Sequence, residues 1–256
     1  MSLLRLFLLI ALVSPAGFAA SPSVLVSGGS MMNGDHFGDS TLAVMRRHYT
    51  GCNKIALVLH ASLPAERDRM EARLQQAFAH IGVPAAESLH RHDAAGAKAL
   101  LEQADGIFIG GGETFVLLGE LYRTGQLELI RARVAAGVPY GGSSAGANVA
   151  GLLIGTTNDF PVAEIPSRRA LGVFPAVINP HHPAPETKAD YDGRVGKIKI
   201  YLQFNPTETV VALANASIAR LHGGKVTLEA GLGWLYRADG VRPLVIGEAV
   251  PELAGK

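Results

Sequence analysis

Short runs of β-branched and aliphatic residues alternate along the chain with longer stretches whose apolar positions recur every three or four residues. That is the pattern of a mostly parallel sheet wrapped by helices. Val24-Leu25-Val26 predicts a first strand ending in Ser27-Gly28-Gly29-Ser30, and residues 54–59 predict a second. Residues 64–81 predict a helix with Met70, Leu74, Ala77, Phe78 and Ile81 on one face. Ile107-Phe108-Ile109 reads as another strand, closed by Gly110-Gly111-Gly112. Residues 114–136 read as helical with interruptions at Gly119 and Gly125, and Val138-Pro139-Tyr140 opens the next strand. From Val210 the pattern shifts to short runs between Gly turns, at 210–213, 225–228 and 234–236. These are expected as antiparallel additions at the sheet edge. Without internal repeats or low-complexity linkers, residues 20–256 are expected to form a single α/β domain.

The first residues need separate treatment. One positive charge at Arg5, an uncharged apolar run from Leu6 to Val13, a break at Pro15 and the small residues of Gly17-Phe18-Ala19 have the form of a secretory signal. Cleavage after Ala19 is expected over Ala20, which would put Phe18 at the outer small-residue position, and the apolar run is too short for a membrane-spanning helix. Export to the periplasm or the medium follows as an expectation.

Composition then removes several classes. Hydrophobic residues make up 48% of the 256 and charged residues 18%, which excludes a disordered chain. Loss of Arg5 with the signal leaves 22 basic against 22 acidic side chains, so no general field favours nucleic acid. A lone cysteine, Cys52, excludes a disulfide scaffold and a Cys-based metal cluster, and is expected as a small buried residue.

Sites in open α/β sheets lie beyond the carboxyl ends of the strands. Gly142-Ser143-Ser144-Ala145-Gly146 has the G-x-S-x-G form after a strand and before a small-residue helix at 147–153, the context of a nucleophile elbow. A phosphate-binding turn is the competing reading. The glycines 110–112 could supply a second oxyanion donor or cradle phosphate, but lack dinucleotide-binding spacing. Asp159 in Thr157-Asn158-Asp159-Phe160-Pro161 and His181 in Ile178-Asn179-Pro180-His181 complete a chemically suitable serine, base and acid set. His60, His90, His92 and His222 read as structural or surface residues. His90-Arg91-His92 lacks an acidic partner at a metal-site spacing.

Taken together, Gly110-Gly111-Gly112-Glu113-Thr114-Phe115, Ser144-Ala145-Gly146-Ala147-Asn148, Thr157-Asn158-Asp159-Phe160-Pro161 and Ile178-Asn179-Pro180-His181 resemble the peptidase E family of serine dipeptidases, relatives of the cyanophycinases. The resemblance runs from about Val24 to Val245. It implies a flavodoxin-like fold akin to class I glutamine amidotransferases, no cofactor or metal, and removal of N-terminal aspartate from dipeptides. By the same resemblance Ser144 is the nucleophile, His181 the general base and Asp159 the acid. Gly112 and Ala145 are the oxyanion donors, and Arg194 clamps the substrate's side-chain carboxylate, a role that suits a planar, permanently charged fork.

Three positions depart from the family pattern. Ser143 stands where a large aromatic residue usually precedes the nucleophile, and Glu113 where Asn is common. Asn215 aligns near a late Glu proposed as the third catalytic member, which leaves Asp159 as the acid of the triad. An amide at 215 can orient an imidazole but cannot stabilise its positive charge, so reduced activity or altered specificity is expected. The expected partner is a small peptide, with no nucleic acid and, after signal removal, no membrane; a homodimer is left open. The alternatives are a cyanophycinase-like hydrolase of β-aspartyl linkages and a non-catalytic binding protein on the same fold.

Overall fold

A computed structural model describes residues 21–254; the expected signal segment 1–19 lies outside them. In chain order the strands are β1 (Val24–Ser27), a small hairpin of β2 (Met32–Asn33) and β3 (His36–Phe37), β4 (Lys54–Val58), β5 (Ala85–Ser88), β6 (Gly106–Ile109), β7 (Tyr140–Ser143), β8 (Val177–Asn179), β9 (Val210–Leu213), β10 (Ile218–His222), β11 (Lys225–Ala230), β12 (Gly233–Arg237) and β13 (Gly240–Pro243). The helices are α1 (Asp39–His48), α2 (Arg67–His80), α3 (Ala94–Gln103), α4 (Thr114–Arg123), α5 (Gln126–Ala135), α6 (Ala145–Ala150) and α7 (Lys188–Phe204).

Seven strands form the main sheet in the order β11-β10-β1-β7-β6-β4-β5. The five strands from β1 to β5 in that row pair in parallel, and β10 and β11 close the edge antiparallel. Side chains alternate across a strand, and here both faces are apolar because both are covered. Val24, Val26, Ala56, Val58, Ile107 and Ile109 pack with α3 to α6. The intervening Leu25, Ile55, Leu57 and Phe108 pack with Val44 and Met45 of α1 and Leu74, Ala77 and Phe78 of α2. The face predicted for residues 64–81 is therefore the buried one, with Met70 partly covered and Ile81 in the same cluster.

The late strands differ from expectation. Only residues 225–228, within β11, extend the main sheet. Residues 210–213 and 234–236 instead join β8 in a second sheet, ordered β13-β12-β9-β8, with β8 parallel to β9. One of its faces, through Ile178, Val211, Leu213 and Leu235, merges with the core of the main sheet. The other, through Val177, Val210, Ala212 and Trp234, is covered by Ile198 and Leu202 of α7. Gly119 does not interrupt its helix; only Gly125, with a φ of 71°, separates α4 from α5. Cys52 is buried, and that burial pushes its thiol up to about 11, which leaves it a poor nucleophile.

Candidate active site

The nucleophile position is set by close packing. β7 runs into α6 through Ser144, whose φ of 54° and ψ of −112° lie where non-glycine residues rarely sit. A side chain at Gly142 would overlap the Gly146 carbonyl, and one at Gly146 would overlap the Ile109 carbonyl of β6. The two glycines of G-x-S-x-G are thus required by space. Ser144 is held by its N–H donating to Ser27 O at 3.1 Å and its carbonyl accepting from Asn148 N–H at 3.0 Å.

His181 arrives from the second sheet, at the end of β8 after Pro180, and its φ is 52°. Its Nε2 lies 2.8 Å from Ser144 Oγ, and its Nδ1 lies 2.6 Å from Asn215 Oδ1. With the amide oxygen facing Nδ1, that nitrogen carries the proton and Nε2 is free to accept from the serine hydroxyl. Asn215 follows β9, again from the second sheet. The main sheet answers through the loop after β1: His181 N–H donates to Gly28 O at 2.9 Å, and Ala216 N–H donates to Gly29 O at 2.7 Å. A side chain at Gly28 would strike the Ala214 carbonyl, and one at Gly29 the His181 ring. The role of the Gly28-Gly29 pair as a seat for the base is not visible in the sequence, although a double glycine at a strand end is the signal that marks it.

The glycine loop 110–112 lies against the nucleophile. A Cβ on Gly111 would sit 3.0 Å from Ser144 Cβ and 3.5 Å from its Oγ. Gly112, at a φ of 132°, rests on the Ala61 carbonyl, to which Glu113 N–H donates at 2.9 Å. Among the described residues, no backbone acceptor serves the N–H groups of Gly111, Gly112 or Ala145. Free amides beside a serine are what an oxyanion needs.

Asp159 is not brought to His181. Its Oδ2 accepts from Thr114 N–H at 2.8 Å, from the Thr114 hydroxyl, and from the Thr157 hydroxyl at 3.2 Å. It caps the first turn of α4 from a neighbouring loop, and Asn215 occupies the place beside the imidazole expected for it. The resemblance assigns Asp159 as the acid through its T-N-D motif and because Asn215 replaces the late Glu, but spacing does not measure which side chain meets the ring.

Arg194, on α7, donates through Nη1 to Asn179 Oδ1 at 3.1 Å and Pro180 O at 3.4 Å. Burial pulls its guanidinium below the ordinary range for arginine, and these two acceptors are neutral. It borders a cavity of about 190 Å³ together with Thr157, Asn158, Asn179, Lys197 and Tyr201. Lys197 is a member of this cavity that lies outside all of the sequence motifs. Asn158 donates to Pro180 O at 2.8 Å and accepts from Asn179 Nδ2 at 3.1 Å, tying the two motif loops together.

The remaining histidines lie elsewhere. His60 bonds Gln126 Oε1 at 2.8 Å, His92 bonds Glu87 Oε1 at 2.8 Å, and His222 is exposed at the end of β10. His90 does gather acidic neighbours, Asp68 and Glu71. Arg91 already pairs with both, at 3.1 Å and 2.6 Å, so the group reads as an ion-pair knot.

Known proteins similar to this chain fall in one peptidase family. The family model described as peptidase family S51 matches residues 23–229. The chain is similar to peptidase E of Streptomyces coelicolor, 32% identical over 90% of this chain and 94% of that protein. It is also similar to peptidase E of Pasteurella multocida, 38% identical over 78% and 85% respectively. In fold it is similar to a crystal structure of a peptidase E protein from Listeria monocytogenes EGD-e, with a TM-score of 0.64 at 20% identity, covering 83% of this chain and all of that one. A peptidase from an acI-B1 Actinobacterium gives a TM-score of 0.69 at 15% identity, covering 91% and 97%.

Proposed function

Because the chain belongs to peptidase family S51 and is a serine peptidase of the dipeptidase type, we propose that it hydrolyses dipeptides with an N-terminal aspartate through a Ser144 acyl-enzyme. The observation that carries the reading is the 2.8 Å approach of His181 Nε2 to the hydroxyl of Ser144 on a strained strand-to-helix turn.

Nε2 takes the hydroxyl proton as Oγ attacks the scissile carbonyl carbon. The amides of Gly112 and Ala145 receive the oxyanion, and the proximity of Gly111 to Ser144 supports placing that hole over the nucleophile. The tetrahedral intermediate collapses as Nε2–H passes its proton to the departing amine. Water then enters, gives a proton to Nε2 and attacks the acyl carbon; as the second tetrahedral intermediate collapses, Nε2–H returns the proton to Oγ, releasing aspartate and free Ser144. Throughout, Asn215 holds the Nδ1–H tautomer. It contributes no negative charge to the imidazolium, so the cycle runs below the rate a carboxylate at this position would allow. Arg194 is the group for the substrate's side-chain carboxylate, supported by its half-buried setting and its neutral partners.

The test is hydrolysis of Asp-Leu, isoAsp-Leu and Ala-Leu by protein lacking residues 1–19, beside its Ser144→Ala variant. Turnover of Asp-Leu that disappears in the variant, along with fluorophosphonate labelling, is the expected result. Preferred turnover of isoAsp-Leu would replace the α-aspartyl reading with the β-aspartyl one. The form of residues 1–19 supports export of the enzyme, and N-terminal sequencing from extracytoplasmic fractions should return a chain beginning at Ala20.

A further inference from the structure

We propose that Asp159 binds the α-ammonium group of the substrate; the proposal rests on the dipeptidase reading and names a recognition element within it. The Asp159 carboxylate uses one oxygen for all its described bonds, with Oδ2 accepting from Thr114 and Thr157. Its Oδ1 receives no hydrogen bond from the described residues, and no described Lys, Arg or His pairs with it. Asn148, only 1% exposed, donates its amide to the same two threonines at 3.3 and 3.4 Å and leaves its own Oδ1 without a partner. The cluster therefore holds more acceptors than donors. The unpaired buried Asn148 Oδ1 is costly to maintain, whereas Asp159 Oδ1 is half-buried and keeps an open side from which a donor-rich ligand can reach the cluster.

The cluster is joined to the segments that carry the nucleophile and the oxyanion loop. Asn148 is one helical turn from Ser144 and donates its N–H to the Ser144 carbonyl. Thr114 lies three residues after Gly111, which packs on the Ser144 side chain. In a dipeptide the ammonium sits on the carbon attached to the scissile carbonyl, so its anchor belongs next to the oxyanion loop. Asn158, the neighbour of Asp159, shares the Pro180 carbonyl with Arg194. The loop that carries His181 is thus met by Arg194 and by the segment that bears Asp159, one bringing a positive and the other a negative side chain. That pair matches an N-terminal aspartate, which bears an ammonium and a carboxylate on adjacent carbons.

The experiment compares Asp-Leu with its desamino analogue, succinyl-Leu, on wild-type enzyme and on Asp159→Asn. The asparagine keeps an oxygen to cap Thr114 and removes the charge. Wild type is expected to prefer Asp-Leu in kcat/KM by about 100-fold or more, as sites with charged hydrogen-bond partners reject analogues that lack the group. In Asp159→Asn that preference collapses towards unity while fluorophosphonate still labels Ser144. Equal losses on both substrates would assign Asp159 to positioning of the catalytic groups and overturn the proposal. A wild type indifferent to the amine would overturn it without reference to any variant. Should Asp-Leu resist hydrolysis, calorimetry of Ala-Leu against propionyl-Leu on Ser144→Ala separates the two readings. An amine preference lost on adding Asp159→Asn keeps this proposal while the aspartate reading falls, and no preference removes this proposal as well.

Discussion

The two sheets contribute unlike things to one site. The main sheet delivers the acyl-forming half: Ser144 after β7 and the glycine loop after β6. The second sheet delivers the proton-handling half, with His181 after β8 and Asn215 after β9. The first half is fixed by backbone-on-backbone contact, where glycines are mandatory and nothing can shift by even a methyl group. The second is fixed by side-chain hydrogen bonds and by a loop of the main sheet, Gly28-Gly29, reaching across to hold it. Positions on the first half therefore tolerate little substitution, whereas positions on the second tune the chemistry.

Breaking the first half gives the largest effect. Ser144→Ala should lower kcat by about 10⁶-fold, as loss of a serine nucleophile does, with an unchanged far-ultraviolet circular dichroism spectrum. Breaking the bridge between the halves comes next. Gly29→Ala places a methyl on the His181 ring at a φ of 103°, so kcat should fall by about 100-fold, the cost of a misplacement of roughly 1 Å. Serine labelling should slow in step, since both depend on the base.

Tuning the second half sharpens the contrast. Asn215→Asp keeps the shape and adds a charge beside Nδ1, which favours the protonated imidazole. kcat/KM should rise by about 10-fold, and the acid limb of its pH profile should move to higher pH. Asn215→Ala should lower the rate, because nothing then holds the ring's tautomer.

The smallest effect is on stability. His182 bonds the Tyr236 hydroxyl of β12 at 2.9 Å, and burial pushes its imidazole down to about 4. Burial pushes His48, under the main sheet, to about 3. An unfolded histidine titrates at about 6.5, so between that pH and these values the unfolded chain binds more protons. Stability should therefore fall as pH drops from about 6.5 towards 4. Thermal melts across that range should show a decline in Tm that is shallower in His182→Gln.

Much of this was legible from the chain, for reasons that differ by residue. The strand at Val24, Leu25 and Val26 follows from a short β-branched and aliphatic run, and the face of Leu74, Ala77 and Phe78 from local periodicity. The elbow at Ser144 and the loop at 110–112 announce themselves because tight backbone packing admits only glycine. The division into two sheets was not legible: β8 and β9 are short and buried on both faces, so no pattern says which strands they pair with. The place beside His181 was only half legible: the resemblance marks Asn215 as standing at the third-member position and able to orient the imidazole, yet gives the acid role to Asp159. Partner choice across more than thirty residues is set by where β9 ends, and by the Ala216–Gly29 bond that holds the turn.

Four non-glycine residues among those described have left-handed φ values: Ser30, Ser144, His181 and Ala216. Two are the reacting pair, and the others flank the Gly29 loop and Asn215. Conformations of this kind cost about 1–3 kcal/mol each and persist only where the surroundings enforce them. An engineer seeking a hardier protein would find relief at Ser30→Gly or Ala216→Gly, where the strain is released without touching a reacting atom. The same exchange would free the loops that aim His181, so heat tolerance gained there would be drawn directly from turnover.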